Sequence, residues 1–388
     1  MLFPGEKLPA KKANFFARKM TDSEISEKYI NGEIRIVTEQ ARYPLDSIQT
    51  MKGVKLQLGP EYQRRGRWNN EKKSRLIESF IMNIPVPPVF LYEYELAHFE
   101  VMDGKQRLST IRDFYSDKFK LEGLEYWPEL EGRSYSNLPD TVRSGIDRRY
   151  ISAIILLYET ARSDIQRSKD LKQLVFERIN TGGVELSHQE SRNALYGGPM
   201  NDLCMRLSEN QKFMSMWGVT IGDKNEEPSE NYKDMTNVEL VLRFFAMRQR
   251  KRFAAVYLRD YLDDYLDSAN RFDVKVLDAL ENLFVSTMDT LYEVFEEKAF
   301  WTFRKSSNAK TTLTSRPSLL MYEPLSFVFG KHYTIHEDIV NNRKIVKSAL
   351  HKVIEKNSEK FKGRLSNTNY IFERIDILES ALLSSLGK

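Results

Sequence analysis

The fold of the first half of this chain is decided by one stretch, Val101-Met102-Asp103-Gly104-Lys105-Gln106-Arg107. A strand-like run precedes it and a helical run follows it, so the sequence predicts a strand-to-helix turn at Gly104. The first amides of a helix have no acceptor within the helix and lie at the positive end of its dipole. Glycine lets a ligand approach the backbone closely, and Lys105 and Arg107 add positive charge. The stretch therefore predicts a site for an anion such as phosphate.

Two polar side chains of this turn suit catalysis on a phosphate. Asp103 is placed to hold the water shell of Mg²⁺ or to act as a base, and Gln106 is placed to orient a water molecule. The alternative is purely structural: Asp103 caps the helix with its side chain, and the basic residues are solvated. Taken alone, the stretch favours this second interpretation.

Periodicity predicts the elements on either side of the turn. Apolar residues at helical spacing predict helices over residues 69–83 and 108–115, and prolines end the first of them. Paired strands are expected over residues 89–94 and 99–102. The nearly unbroken apolar run at residues 150–158 is typical of a strand buried on both faces.

The pattern changes near residues 161–163, after which helical periodicity dominates. Capping boxes predict helix starts at three pairs, Ser163/Gln166, Ser187/Glu190 and Thr236/Glu239. Long amphipathic helices are expected over residues 273–295, 336–354 and 369–383, and loops over residues 221–232 and 305–314.

The fold class that follows is α+β. We predict an N-terminal arm of residues 1–37 with a short helix at 23–31, and then a mixed domain of residues 38–162. A mostly α-helical domain of residues 163–388 completes the chain.

Composition excludes several classes of protein. At 41% hydrophobic residues, the 388-residue chain can bury substantial cores, so disorder is not expected. A formal net charge of only +4 argues against a general nucleic-acid coat and permits a local basic groove. The single cysteine, Cys204, excludes an intramolecular disulfide framework, and its apolar neighbours predict a buried helix position. No apolar run approaches the roughly 20 residues that span a bilayer, so we expect a cytoplasmic protein without membrane contact.

Two further clusters carry polar residues at turns. The run Tyr62-Gln63-Arg64-Arg65-Gly66-Arg67-Trp68 places three arginines between two aromatic residues, as in segments that wrap phosphates and stack a base. Its structural alternative is an exposed basic loop with Trp68 packed on the next helix. The run Phe176-Glu-Arg-Ile-Asn-Thr-Gly-Gly is a good helix stop, which accounts for its glycines. A helix stop does not account for the crowding of Arg178, Asn180, Glu190 and Arg192 around one turn.

Basic residues elsewhere are candidates for contacts with DNA. They are Arg65 and Arg67, Arg148 and Arg149, and the run Arg248, Arg250, Lys251 and Arg252. For any one such run, a solvated helix face is the commoner outcome.

Four stretches together resemble the N-terminal domain of GmrSD-type restriction endonucleases. The matching motifs are Tyr62-Gln63-Arg64 with Trp68, a helix ending in Asn83-Ile-Pro-Val-Pro-Pro, Asp103-Gly104-Lys105-Gln106-Arg107-Leu108, and Phe176-Glu-Arg-Ile-Asn-Thr-Gly-Gly. The central motif of the family usually reads Asp-Gly-Gln-Gln-Arg, and here Lys105 replaces its first glutamine. The motifs follow the family's order over roughly the first half of the chain.

The resemblance implies a ParB/sulfiredoxin-like mixed domain followed by a helical region. It also implies binding of a nucleoside triphosphate, GTP or ATP, with Mg²⁺, and hydrolysis that powers or gates action on foreign, often modified, DNA. By this resemblance Asp103, Gln106 and Arg107 are nucleotide-site residues. We predict that all three are catalytic and that Asp103 holds Mg²⁺. The nucleotide-binding residues that it implies are Arg107 with Tyr62, Gln63, Arg64, Gly104, Lys105, Asn180, Gly182 and Gly183.

Two-part members of the family add a nuclease domain with His-Asn-His chemistry. Of the five histidines here, His332 and His336 share a helical spacing, but no cluster of His, Asn and acidic residues accompanies them. We expect both to be ordinary surface residues. The segment from Phe303 through a helix at Ser318 resembles the end of shorter, single-subunit members, so a partner subunit is expected to supply any nuclease.

Three functions stay open on the sequence. The first is a Mg²⁺-dependent NTPase of phage defence; a P-loop NTPase is excluded because the chain has no Gly-x-x-x-x-Gly-Lys-Ser/Thr motif. The second is a non-catalytic nucleotide- or DNA-binding switch that regulates a partner, which the change to Lys105 fits. The third is a ParB-like nuclease, for which only Glu100 and Asp113 accompany Asp103 as acidic ligands. The oligomeric state is not predicted.

Overall fold

The computed structural model of the chain describes residues 2–8, 21–30, 36–50, 56–57, 68–157, 174–176, 178–179, 187–222, 228–253, 256–305, 311–362 and 368–388. Contacts along the chain define two units. The mixed unit is Lys12–Leu195, and the helical unit is Met1–Lys11 together with Tyr196–Lys388. The domain boundary predicted at residues 161–163 lies outside the described residues and stays a prediction.

A five-stranded sheet forms the centre of the mixed unit, with the order β1-β5-β3-β4-β2. The strands are β1 Thr38–Pro44, β2 Leu56–Gln57, β3 Val89–Glu95, β4 His98–Asp103 and β5 Tyr150–Leu156. β4 pairs antiparallel with β3 and parallel with β2, whereas β5 pairs parallel with β3 and antiparallel with β1. As a result β2 and β4 end at the same edge of the sheet, where β3 and β5 begin.

Six helices of this unit are described. They are α1 Asp22–Ile30, α2 Ser47–Thr50, α3 Asn70–Ile81, α4 Lys105–Tyr115, α5 Asp140–Asp147 and α6 His188–Leu195. The start of α3 is set by Asn69, whose side chain accepts a hydrogen bond from the Lys72 amide at 2.9 Å. The capping box predicted at α6 is confirmed, because Ser187 and Glu190 each accept from the other's backbone amide.

The main core of the mixed unit contains the apolar faces of α3 and α4 and one face of the sheet. Its buried members include Ile77, Phe80, Ile111, Phe114, Val89, Leu91, Val101, Ile151 and Ile155. A smaller cluster contains Met102, Leu156 and Phe176, with Phe90, Tyr92, Ala194 and Leu195 packed against it. The strand β5 was predicted to be buried on both faces. This prediction is wrong, since Ser152 and Ile154, which alternate with its buried residues, are only partly buried.

The helical unit contains ten described helices. They are α7 Pro199–Leu207, α8 Gln211–Trp217, α9 Glu230–Lys233, α10 Thr236–Met247, α11 Leu258–Ala269, α12 Val274–Phe295, α13 Leu319–Lys331, α14 His336–Asn341, α15 Arg343–Lys356 and α16 Thr368–Ser385. Short 3₁₀ turns lie between several of them. Fully buried Phe245, Phe284, Tyr322 and Phe329 belong to its core. The mixed sheet and the helical unit confirm the predicted α+β class.

Four expectations for this unit are corrected. The loop predicted at residues 305–314 is wrong, because β6 Trp301–Lys305 and β7 Thr311–Pro317 form an antiparallel hairpin. The loop predicted at residues 221–232 includes the start of the short helix α9. The single helix predicted at 336–354 is two helices, because Asn342 leaves the helical conformation and its side chain donates to the Asp338 carbonyl. Thr236 is not a cap: its own amide donates to Asp234, and α10 starts after Met235.

The segment at residues 2–8 packs within the helical unit. The carboxylate of the buried Glu6 accepts two hydrogen bonds from Arg248, at 2.6 and 2.8 Å. The Leu8 amide donates to Gln249 at 2.9 Å, and the Gln249 side chain donates to the Glu6 carbonyl at 2.7 Å. No helix in the described parts of the chain is both long enough and apolar enough to cross a membrane.

Candidate functional site

The predicted strand-to-helix turn is present at the end of β4. Gly104 links β4 to α4 with φ 93° and ψ 12°, in the left-handed region. A Cβ atom at this position would lie 2.4 Å from Cγ1 of Val89 and 2.9 Å from its Cβ. Glycine is therefore required here for two reasons: its backbone has a positive φ, and a side chain would clash with Val89.

A β-bulge immediately precedes the turn. Phe90 and Leu91 of β3 pair with Asp103 and Val101 of β4, so Met102 is the extra residue. Bulges are common next to active sites, where they change the direction of a side chain. The bulge places Asp103 opposite Phe90, at the sheet edge where β4 ends.

Asp103 and Arg107 form an ion pair across the turn. Arg107 Nη2 donates to Asp103 Oδ2 at 2.6 Å, and Arg107 Nη1 donates to the carbonyls of Pro87 and Pro88 at 2.5 and 3.2 Å. The Arg107 side chain is only 13% exposed, against 32% for Asp103. Arg107 thus connects the carboxylate to the proline run before β3 and fixes its position.

The structural alternative predicted that the Asp103 side chain caps α4, and this part of it is wrong. The N-cap of α4 is Gly104, and the Asp103 carboxylate binds Arg107 rather than capping the helix. Lys105 and Gln106 occupy the first turn of α4 and are half-buried. The described members of the motif therefore lie together at one helix start.

Other predicted nucleotide-site residues lie outside the described residues. They are Tyr62, Gln63, Arg64, Asn180, Gly182 and Gly183, together with the DNA candidates Arg65 and Arg67. Tyr62 follows β2 in sequence, and β2 ends at the same sheet edge as β4. Phe176, which opens the third motif, packs with Met102, the residue before Asp103.

The third motif continues into a buried polar group that the sequence did not predict. Gln189, Arg192 and Asn193 of α6 are at most 3% exposed. Arg192 donates to Gln189 at 3.1 Å, and Gln189 donates to Asn193 at 2.9 Å. Glu190 serves the capping box, while Arg178 is exposed. The only sequence signal for this group was the crowding of polar residues around one turn.

Two DNA candidates of the mixed unit, Arg148 and Arg149, lie at the same sheet edge as Asp103, because β5 begins there. Arg148 is exposed. Arg149 is half-buried, and its Nε donates to the Phe80 carbonyl at 3.2 Å. Arg148 thus faces solvent, and Arg149 also supports the end of α3.

The basic run of the helical unit is mostly engaged within the fold. Arg248 binds the buried Glu6, and Arg250 donates to the Phe253 and Val256 carbonyls at 2.7 Å each. Arg252 donates to Gln249 at 3.1 Å, and the exposed Lys251 lies over the Phe372 ring. Contact of these four residues with DNA stays a prediction.

The carboxylates near the turn bear on Mg²⁺ binding. Asp113 binds Arg112, Lys118 and Lys73, at 2.9, 3.5 and 3.8 Å. Within the described ranges, no three His, Cys, Asp or Glu side chains are grouped as metal ligands. Mg²⁺ often binds through one carboxylate, several waters and substrate phosphates. Asp103 fits that mode, with the ion carried by a phosphate ligand.

The two spaced histidines are not ordinary surface residues. His332 Nε2 lies 2.6 Å from Glu379 Oε1, and His336 Nε2 lies 2.9 Å from the Phe329 carbonyl. Burial lowers the pKa of His336 below its usual value. Both side chains therefore form hydrogen bonds close to the C-terminal end of α13. Cys204 is buried as predicted, and burial raises the pKa of its thiol.

Comparison with known families supports the motif assignment. No significant match was found among curated proteins or among solved structures. Residues 48–197 match the family model of the GmrSD restriction endonuclease, N-terminal domain. That range contains β2 to β5 and the turn at Asp103–Arg107. The resemblance expected from the motifs is therefore confirmed over residues 48–197, where this chain is similar to the GmrSD N-terminal domain.

Proposed function

We propose that the chain is a component of a restriction or phage-defence system that binds and hydrolyses a nucleoside triphosphate, GTP or ATP, and acts on or senses DNA. The observation that carries the proposal is the Asp103–Arg107 pair across the Gly104 turn, inside the region similar to the GmrSD N-terminal domain.

Phosphate binding is assigned to the start of α4. The first amides of a helix present donors to an anion, and Gly104 removes the side chain that would block their approach. Lys105 adds a point charge in the same turn. Stabilisation of phosphate charge by fixed donors is the main contribution that proteins make to phosphoryl transfer.

Arg107 is assigned a positioning role first and phosphate contact second. Its two Nη atoms are already bonded to Asp103, Pro87 and Pro88. A guanidinium has five N–H donors, so further donors stay available to a phosphate oxygen. The expected consequence is that Arg107 holds Asp103 in place, while Gln106 orients the attacking water.

Asp103 is assigned to the water shell of Mg²⁺. Asp103 would hold Mg²⁺ through that water shell, and the ion would supply neutralisation of phosphate charge. Asp103 Oδ2 accepts from Arg107, which leaves Oδ1 to accept from a metal-bound water. The carboxylate thus orients the water shell without a second acidic residue.

A second candidate function is a nucleotide-responsive switch without turnover. Two observations favour it: Lys105 stands where the family usually has glutamine, and one Asp103 oxygen is already occupied by Arg107. In that case nucleotide binding changes contacts with DNA or with a partner nuclease subunit. The ParB-like nuclease finds no support in the described residues, which contain no cluster of acidic ligands.

Turnover separates the two functions. Phosphate release would be measured with Mg²⁺ and each of ATP, GTP, CTP and UTP, with and without DNA. The variants are Gln106→Ala and Asp103→Asn, and the control is Asp140→Asn, which removes a surface carboxylate paired with Arg143 in the same unit. The NTPase predicts turnover that both site variants abolish and the control retains. Binding without turnover would move the protein to the switch function.

A further inference from the structure

Helix α15 carries an uncompensated row of lysines. Its sequence, Arg343–Lys356, contains Lys344, Lys347, Lys352 and Lys356 but a single acidic residue, Glu355. None of the four lysines forms an ion pair with any described part of the chain. Six lysines elsewhere in the helical unit do form ion pairs: Lys212, Lys233, Lys331, Lys360, Lys362 and Lys388. Lys7, Lys251, Lys275 and Lys298 of this unit also form no ion pair with the described residues, but they lie on separate segments, whereas α15 carries four such lysines on one helix.

The packing of α15 fixes where these charges point. Val346, Leu350 and Ile354 are at most 1% exposed and hold one face of the helix against the core. Lys344, Lys352 and Lys356 are exposed, and Lys347 is half-buried. At about 1.5 Å per residue the row is about 18 Å long. At about 100° per residue the four lysines spread over about half of the helix circumference, so the helix presents a broad band of positive charge to solvent.

Such a row destabilises its own helix. Lys344 and Lys347 are three residues apart and Lys352 and Lys356 are four apart, and like charges at these spacings repel each other. A helix selected only for stability would place acidic residues among them, as neighbouring helices do through their ion pairs. The missing compensation indicates that a polyanion supplies it.

We propose that the α15 row, Lys344, Lys347, Lys352 and Lys356, binds the phosphate backbone of duplex DNA. The helix has no Phe, Tyr or Trp, which stacking on single-stranded bases requires. Lysine ammonium groups act as point charges that contact phosphates without reading bases. The inference rests on the DNA partner of the proposed function and is independent of its nucleotide site.

Pairing within the fold also explains why the sequence predicted a different DNA-binding region. The run Arg248–Arg252 is denser in charge than α15, but Arg248 binds Glu6 and Arg250 binds backbone carbonyls. Basic side chains that are already paired within the fold release few counterions when DNA binds, whereas unpaired exposed lysines release more. Pairing, rather than charge density along the sequence, selects the DNA surface.

The test is the salt dependence of binding to a duplex of about 25 base pairs, with the full chain and no nucleotide. The variant changes Lys344, Lys347, Lys352 and Lys356 to Gln. The matched control changes four paired lysines, Lys212, Lys331, Lys360 and Lys388, to Gln and so removes the same net charge. Each lost phosphate contact lowers the slope of log K against log salt by about one. The expected slope is therefore lower by about 3–4 in the α15 variant and little changed in the control.

Several outcomes overturn the proposal. They are an equal slope in wild type and α15 variant, an equal loss in the control, tighter binding of single-stranded RNA than of duplex DNA, or no duplex binding by the wild type. Thermal melting of the variant shows that it is folded, and removal of mutual repulsion is expected to leave its Tm unchanged or higher. The binding experiment contains no nucleotide, so failure here leaves the nucleotide site of the proposed function to be judged separately by its turnover assay.

Discussion

At the scale of single residues, Gly104 is the position on which the turn depends. The Gly104→Ala change is expected to cost about 2–5 kcal/mol of unfolding free energy, because it adds left-handed strain to a clash with Val89. The measurement is urea denaturation of the full chain.

Gly132 provides the control for this prediction. It also has a positive φ, 74°, but nothing lies within 4 Å of a Cβ built there. Gly132→Ala is therefore expected to cost only the conformational part, about 1–2 kcal/mol. Equal losses in the two variants would show that the contact with Val89 does not matter.

Single residues also mark where prediction from sequence reached its limit. The Asp-Gly-Lys-Gln-Arg motif predicted the turn and the basic helix start, since both are local properties. The bonds from Arg107 to Pro87 and Pro88 were not predicted, because they join segments distant in sequence. The proline run was visible, but its only predicted role was to end α3.

At the scale of elements, Glu78 of α3 organises the loop after α4. Its buried carboxylate accepts from the amides of Tyr126, Trp127 and Glu125 at 2.7, 3.0 and 3.3 Å. Glu78→Gln is expected to lower the unfolding free energy by about 2–3 kcal/mol. Charge-assisted hydrogen bonds are lost, and the side-chain NH₂ group of the new glutamine would face the backbone N–H donors of the loop. The measurement is again urea denaturation.

Glu71→Gln on the same helix is the control. Glu71 is about half exposed, and its ion-pair partner within the described part of the chain is Arg75. Its loss is expected to cost no more than about 0.5 kcal/mol. If Glu78→Gln were as mild as this control, the loop would be held by other contacts.

The elements themselves were predictable where their pattern was local and strong. Helices α3, α4, α12 and α16 were predicted within a few residues, as were strands β3 and β4. The β6–β7 hairpin was not predicted because its segment is rich in polar residues and lies between helical patterns. The β-branched residues Thr311 and Thr312 were too weak a signal to indicate a strand there. The break at Asn342 was missed because the apolar periodicity continues across it.

At the scale of the whole molecule, the helical unit is assembled from both ends of the sequence. Residues 2–8 contribute Glu6, which is fully buried against Arg248. Removing one partner of a buried ion pair leaves the other charge uncompensated. Glu6→Ala is therefore expected to lower the unfolding free energy by about 3–5 kcal/mol, measured by thermal or urea unfolding.

The paired change Glu6→Gln with Arg248→Met separates charge from packing. It removes both charges at once and is expected to cost clearly less than Glu6→Ala. A double variant less stable than the single one would mean that the segment is held by shape rather than by this pair. This contact could not be predicted from the sequence, because the two residues are 242 positions apart.

Equilibrium binding of triphosphates with Mg²⁺ shows whether Asp103–Arg107 forms the proposed nucleotide site. Wild type, Asp103→Asn, Arg107→Lys and the control Asp140→Asn would be titrated with ATP, GTP, CTP and UTP. We expect Mg²⁺-dependent binding of at least one triphosphate. Binding should be at least about tenfold weaker in both site variants, since each loses a charged hydrogen bond worth over about 1.4 kcal/mol, and unchanged in the control. Absence of binding to all four, or binding indifferent to Asp103 and Arg107, would contradict it.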